Sequence, residues 1–186
     1  MGPLVTVLIP AYNAEKTLEA ALDSVLSQTY HNLEVLLIND GSTDETGEIG
    51  LQYSRMDSRI IYIEGEENKK LVKVLNQGLL LAKGKYIARM DADDLCRPDR
   101  IRKQVDYMEA HPDVAICGTW MKTFGSGISH IMGNPETAHE IKKSLMYYQV
   151  KANLRKLKNS LEWLKPFRIK HVGYRSWITL RIKWIS

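Results

Sequence analysis

Cysteine is scarce: Cys96 and Cys117 are the only two in 186 residues, too few for a disulfide framework and suited to a reducing compartment. Long apolar runs are missing too. None approaches the roughly 20 residues a helix needs to cross a bilayer. No cationic segment precedes the first apolar run, so a signal peptide is not expected. Met1-Gly2-Pro-Leu-Val-Thr6 formally fits a myristoylation pattern, but Val5 to Ile9 read as the first strand, and the match is taken as chance. There is no low-complexity tract or internal repeat, which excludes a fibrous or disordered chain. The length fits one domain of ordinary size. Acid is nearly absent from one end. Residues 151–186 hold ten Lys/Arg against the single acid Glu162, a net +9, whereas the remainder holds 16 Lys/Arg against 21 Asp/Glu, a net −5. Two parts with different tasks are expected.

What is present is an alternation of apolar strands and amphipathic helices. Leu4-Val-Thr-Val-Leu-Ile9, ended by Pro10, is a continuous apolar run of the kind covered on both faces. Asn13 is positioned to cap a helix carrying Leu18, Ala21, Leu22, Val25 and Leu26. Leu33 to Ile38 forms a second strand. Ser42-Thr-Asp-Glu45 fits a capping box opening a helix to about Met56. Arg59 to Ile63 is a third strand, and Asn68 is placed to cap a helix with Leu71, Val74, Leu75, Leu79 and Ala82. Gly84 punctuates the start of a fourth strand, Tyr86 to Met90. Pro98 sits at the first turn of a helix to about Ala110, and Val114 to Cys117 is a fifth strand. Beyond Gly127 the signal weakens to helical spacing over His139 to Gln149 and Lys151 to Trp163. The order β-α-β-α-β-α-β-α-β with short connections predicts an α/β fold, an open, mostly parallel, Rossmann-like sheet with helices on both faces.

Ligands of such sheets bind beyond the carboxyl ends of the strands. There lie Tyr12 and Asn13 after the first strand, Asp40 after the second, and Asp91-Ala-Asp93-Asp94 after the fourth. Three carboxylates within four residues repel one another unless a cation neutralises them, and Asp-x-Asp suits a hard divalent ion that keeps water and phosphate ligands. An acidic turn closing a strand is the plainer alternative. Arg89, two before Asp91, is expected on its side of the strand, either offsetting the carboxylates or touching phosphate.

Val7-Leu-Ile-Pro-Ala-Tyr-Asn13, Asn39-Asp-Gly-Ser-Thr-Asp44, Ala82-Lys-Gly-Lys-Tyr-Ile87 and Asp91-Ala-Asp-Asp94, in this order, resemble the family 2 glycosyltransferases of the GT-A fold over roughly residues 4–124. The resemblance implies a donor half in 1–125 that binds a nucleotide-diphosphate sugar, most often a UDP-sugar, with Mn²⁺ or Mg²⁺. Carried over, Pro10, Tyr12 and Asn13 line the nucleotide, with Tyr12 against the base. Asp40 accepts from the base N–H, Asp91 holds the ribose or metal waters, and Asp93 ligates the ion. Where many relatives carry Arg, Leu75 precedes Asn76, and Lys73 is the cation left to replace it. Inverting relatives use an acid, commonly in a Glu-Asp pair, as general base toward the acceptor hydroxyl. After residue 125 only Glu136, Glu140 and Glu162 are acids, and Glu162, before Trp163-Leu164, is the candidate. Residues 126–186 read as a shortened acceptor side with a basic helical C-terminal segment. Trp163, Trp177 and Trp184 lie in that +9 segment, so it is expected to touch anionic membrane from the cytoplasmic face. An acidic body without a nucleic-acid motif argues against nucleic acid. The implied activity is sugar transfer to a glycan or lipid-linked acceptor in cell-surface polysaccharide synthesis. A nucleotide-sugar-binding module without a general base is one alternative. A haloacid dehalogenase-type phosphatase is another, weakened because its Asp-x-Asp usually ends the first strand.

Overall fold

The computed structural model describes residues 2–123, 131–132, 168–169 and 179–181. The chain divides into two compact units, Met1–Val105 with Arg181–Ser186, and Asp106–Leu180. The first unit carries four parallel strands, β1 (Val5–Ala11), β2 (Leu33–Asn39), β3 (Ile60–Glu64) and β4 (Tyr86–Arg89), in the order β3-β2-β1-β4. β1 and β2 pair in register from Val5↔Leu33 to Ala11↔Asn39, and β1 pairs with β4 only as far as Leu8↔Arg89.

That short ladder explains why β1 runs through Pro10 instead of stopping there. Leu8 accepts from Met90 N–H on the β4 side, and Pro10, two residues on, turns its missing donor the same way, past the last paired residue of β4.

Alternation along β1 and β2 divides the core. Leu8, Leu36, Ile38 and Ile87 cluster with Val74 and Ala82 of α3 (Leu71–Leu81) and its C-cap. Leu37 and Tyr62, on the opposite face, meet Gly50 of α2 (Thr46–Met56). Helices therefore cover both faces, as continuous apolar strands require. Each fully buried Leu or Ile contributes about 1.5–3 kcal/mol, so this central sandwich holds the unit together. α1 (Leu18–Leu26) buries Leu18, Ala21, Leu22 and Val25, and α4 (Arg100–Ala110) buries Ile101, Val105 and Met108. No helix among the described residues is long and apolar enough to cross a membrane.

Several element starts differ from expectation. α1 begins at Leu18, with Thr17 as N-cap, because Asn13 adopts φ 49° and spends its side-chain oxygen on Thr43 N–H, 2.9 Å away. Ser42 forms no capping box. Its hydroxyl accepts from Asn13 N–H at 3.0 Å, and α2 starts later, at Thr46, whose N–H is taken by Asp44 Oδ1 at 3.1 Å. α3 is entered from Lys70 at φ 72°, with Asn68 Oδ1 accepting from Lys70 N–H just outside the helix.

In the second unit β5 (Val114–Cys117) pairs in parallel with β8 (Arg168–Ile169) and antiparallel with β9 (Thr179–Arg181). Two short strands, β6 (Met121–Lys122) and β7 (Ile131–Met132), pair antiparallel. The late strands lie in stretches of period-2 alternation, Phe167-Arg168-Ile169-Lys170 and Ile178-Thr179-Leu180-Arg181-Ile182-Lys183, a strand signal that a reading for helical spacing passes over. The helices expected over 139–149 and 151–163 lie outside the described residues.

Candidate functional site

The register brings the ends of β1 and β2 to one level. Ala11 faces Asn39, and Asp40 N–H donates to Ala11 O at 2.8 Å, so Tyr12 and Asp40 leave the sheet side by side. The loops that follow are stitched together. Ala14 N–H donates to Thr46 Oγ1 at 2.7 Å and Glu15 N–H to Asp44 Oδ2 at 3.1 Å. Burial opposes ionisation of Asp44, but hydrogen bonds from Thr46 and Glu15 outweigh it and hold this carboxyl below its usual range. Beneath the loop, buried Asn39 accepts from Ser42 N–H and donates to Glu64 Oε1 at 2.8 Å. Tyr12, 48% exposed, is left as an open aromatic face at the rim.

Asp40 is only 6% exposed. Its Oδ1 accepts from Lys69 N–H at 2.7 Å and its Oδ2 from Lys70 N–H at 3.0 Å. The carboxylate thus fastens the left-handed residue through which the chain enters α3, an unfavourable backbone state that persists only when neighbours hold it. Each oxygen keeps a second lone pair, so further acceptance remains available. Gly41 has φ 67°, and a Cβ there would lie 2.6 Å from the Glu67 carbonyl carbon, so no other residue fits.

At the end of β4, Arg89 Nη2 meets Asp91 Oδ1 at 2.5 Å, as strand alternation requires of residues two apart. Ala92 is buried and turns Asp93 outward into solvent. Asp94 N–H donates to Asp91 O at 3.3 Å, closing the turn. The turn is anchored from below. Arg100, 5% exposed, donates to Arg89 O at 3.1 Å and to Gln104 Oε1 at 3.2 Å. Buried Gln28 donates to Arg97 O at 2.7 Å and accepts from Ile101 N–H at 3.0 Å, tying the end of α1 to the entry of α4. Sequence reading missed both residues. The available signal was a long polar side chain within an otherwise buried helical stripe.

The carboxylates carry the electrostatic mark of crowding. Burial, then Asp93 and Asp91, push Asp94 up to about 6. Burial likewise raises Asp91, the ion pair with Arg89 only partly countering it. Because the folded state holds the Asp94 proton more tightly than the unfolded chain does, ionisation of Asp94 destabilises the fold. Stability falls as pH rises through 6 and recovers below it. After discounting for solvent screening, the effect is on the order of 1 kcal/mol, or ~3 °C in Tm. Metal-free protein is expected to melt ~3 °C higher at pH 5 than at pH 7.5 from this group. Asp94→Asn should abolish that component and raise Tm at pH 7.5; an unchanged pH profile in the variant would refute it.

Among the described residues no cluster of three or more His, Cys, Asp or Glu forms a complete metal cage. The donor set nevertheless fits a hard divalent ion completed by substrate oxygens. Asp93 projects hard carboxylate oxygen into solvent beside half-buried Asp91, and mutual repulsion at this turn is what a cation relieves. Pro10, Tyr12, Asn13, Asp40, Arg89, Asp91 and Asp93 all lie at the carboxyl edge of the sheet. Lys73 is exposed on the first turn of α3. Glu162 lies outside the described residues, as do the tryptophans of the basic segment.

Known proteins resemble this chain in sequence and fold. The family described as Glycosyl transferase family 2 matches residues 6–172. Glycosyltransferase EpsE of Bacillus subtilis is 44% identical over 124 residues, covering 66% of this chain and 45% of its own. The teichuronic acid biosynthesis glycosyltransferase TuaG of the same organism is 39% identical over 106 residues, covering 57% of this chain and 42% of its own. The chain therefore spans less than half the length of these relatives. Among solved structures, the mannosyltransferase PcManGT from Pyrobaculum calidifontis, in complex with GDP-Man and Mn²⁺, superposes with a TM-score of 0.61 at 28% identity, covering 65% of this chain and 36% of its own. With helices on both faces of a parallel sheet, three of the four motifs ending at its carboxyl edge and the match across residues 6–172, the chain belongs to the family 2 glycosyltransferases and has the GT-A fold.

Proposed function

We propose that the chain binds a nucleotide-diphosphate sugar, a UDP-sugar, with Mn²⁺ or Mg²⁺. In this reading it forms the donor half of a transferase that passes the sugar to a glycan or lipid-linked acceptor in cell-surface polysaccharide synthesis. The observation that carries this reading is the outward Asp93 and half-buried Asp91 on a turn anchored by Arg100, at the same sheet edge as Tyr12 and Asp40. The polysaccharide context draws support from TuaG, named for teichuronic acid biosynthesis. The metal draws support from Mn²⁺ in the mannosyltransferase complex.

The parts divide by chemistry. Tyr12 offers a flat face for the base at the rim, and Asp40 offers spare acceptor capacity toward a base N–H. Pro10 and Asn13 shape the wall between them. Asp91 and Asp93 hold the ion, which supplies Lewis-acid stabilisation of the diphosphate leaving group. Arg89, paired with Asp91, is a cation that would steady the same negative charge. Lys73 adds a cation at the entry of α3. Deprotonation of the acceptor falls to an acid beyond residue 125, with Glu162 the candidate, and an inverting outcome follows from that assignment.

A second reading, a donor-binding module without transfer, rests on the lack of any Glu-Asp pair after residue 125. One melting experiment tests binding. At a hundredfold excess over Kd a ligand adds about 2.7 kcal/mol, or ~5–10 °C for a chain of this size. UDP-sugars are expected to give such a shift with Mn²⁺ and none with EDTA. No shift with any UDP- or GDP-sugar would sink both readings. Metal-dependent binding without transfer or slow donor hydrolysis would leave only the second.

A further inference from the structure

From Lys69 to Met90 the chain carries six cations, Lys69, Lys70, Lys73, Lys83, Lys85 and Arg89, and not one acid. α3 occupies the centre of this stretch, and its apolar residues do not stop at the core. Val74 and Gly78 seat against the sheet, a Cβ on Gly78 falling 2.3 Å from Leu8 Cδ1. At 100° per residue the opposite side presents Val72, Asn76 and Leu80, with Lys73 flanking, and Lys83 follows the extended C-cap Ala82. Val72 is 70% and Leu80 79% exposed. They stand eight residues apart on the helix, a stripe ~12 Å long. Leu71 and Leu81 are also exposed at its two ends. Lys73 is exposed on the helix, Lys69 and Lys70 just before it and Lys83 and Lys85 beyond its end.

We infer that this face of α3 docks on an anionic lipid surface. Val72 and Leu80 enter the boundary between headgroups and acyl chains, and the lysines meet the phosphates. Aliphatic tips set among lysines, on a helix with no acid between Lys69 and Met90, match an interfacial helix, exposed Glu66 and Glu67 lying just ahead of it. A protein partner would find no groove here. Single-stranded nucleic acid would lack the aromatic faces on which bases stack. The entry of α3 is fastened to Asp40 through Lys69 and Lys70 N–H, so docking brings the Asp40 edge of the sheet toward the membrane. The surface does not rest on the transferase reading, since vesicle binding reports on it whether or not sugar is transferred.

The test is co-sedimentation of the full chain with vesicles of phosphatidylcholine alone and of phosphatidylglycerol mixed with phosphatidylcholine. Wild type should partition at least tenfold more strongly onto the anionic vesicles. The double variant Val72→Ser/Leu80→Ser should lose about tenfold of that binding while keeping its Tm and its UDP–Mn²⁺ shift, both side chains being exposed. Lys69→Gln/Lys83→Gln should lose a similar amount. Failure of wild type to bind anionic vesicles overturns the inference. So does binding that Val72→Ser/Leu80→Ser leaves intact, the result expected if residues 151–186 carry all the attraction. Retention of a single-stranded RNA by wild type with no vesicle binding would overturn it in favour of nucleic acid.

Discussion

Asp93→Ala is expected to abolish Mn²⁺-dependent stabilisation by UDP while leaving the fold intact. Asp93 is exposed on its turn, and truncating an exposed side chain without structural partners usually changes stability by under about 0.5 kcal/mol. The ligand effect should be far larger. In the proposed donor site the ion would lose one of the two carboxylates that would hold it, and nothing else among the described residues projects a carboxylate from the turn into the same solvent-facing position. A loss of at least a hundredfold in nucleotide affinity, about 2.7 kcal/mol, is expected, enough to remove the melting shift at ligand concentrations that saturate wild type. Asp94→Asn provides the contrast. Its carboxyl is raised to about 6 by burial and by Asp93 and Asp91, so its charged form is disfavoured relative to an ordinary carboxylate. The Asn variant should keep most of the shift. Titration of UDP into each variant with and without Mn²⁺, followed by melting or calorimetry, separates these outcomes. Equal metal-dependent affinity in wild type and Asp93→Ala would remove that residue from the site.

Much of the first unit is legible in the sequence because two signals agree. Unbroken apolar strands could only be sandwiched, and polar residues recurred where each strand ended. Strand order alone therefore sets Tyr12, Asp40 and Asp91 at one edge. What escaped was tertiary in origin. Asn13 has the chemistry of a helix cap, yet a left-handed backbone and the Thr43 N–H claim it first. Arg100 and Gln28 look like surface polar residues on helices, and only burial reveals that they anchor the turn. In α3, apolar residues lie nearly all round, so periodicity alone cannot separate the Val74–Gly78 face from the exposed Val72–Leu80 face. Leu71 was expected in the core and is exposed. The strands at 168–169 and 179–181 do lie in alternating stretches, Ile178, Leu180 and Ile182 against Thr179, Arg181 and Lys183, but their partner β5 lies far earlier in the chain, so only the pairing identifies their place.

Gly84→Ala should be among the most destabilising single-methyl additions in the chain. Read locally, Gly84 merely punctuates the start of β4. In the fold it is the point where the α3–β4 connection crosses β1 at closest range. Gly84 N–H donates to Thr6 Oγ1 at 2.9 Å, Thr6 in turn donates to buried Glu34, and Lys83 N–H donates to the same Glu34 oxygen at 2.6 Å. A Cβ on Gly84 would stand 2.5 Å from Thr6 N and 2.7 Å from Tyr86 O. Both are backbone atoms of paired strands, so neither can yield without breaking the β1–β4 ladder or the Thr6–Glu34 bonds. Overpacking of this kind costs about 1–3 kcal/mol or more, and leaving a buried donor unpaired adds about 1–3 kcal/mol. The entropic gain of replacing glycine, about 0.4–1 kcal/mol, is too small to offset them. A net loss of about 3 kcal/mol, or ~6–12 °C in Tm, follows. Gly78→Ala is the discriminating comparison. Its Cβ meets only the branches of Leu8, which can shift, and alanine recovers ~1 kcal/mol of helix propensity. Thermal melts of the two variants should therefore differ by several degrees, with Gly84→Ala the lower. If Gly84→Ala melts with wild type, the close approach to β1 is not what makes glycine necessary there.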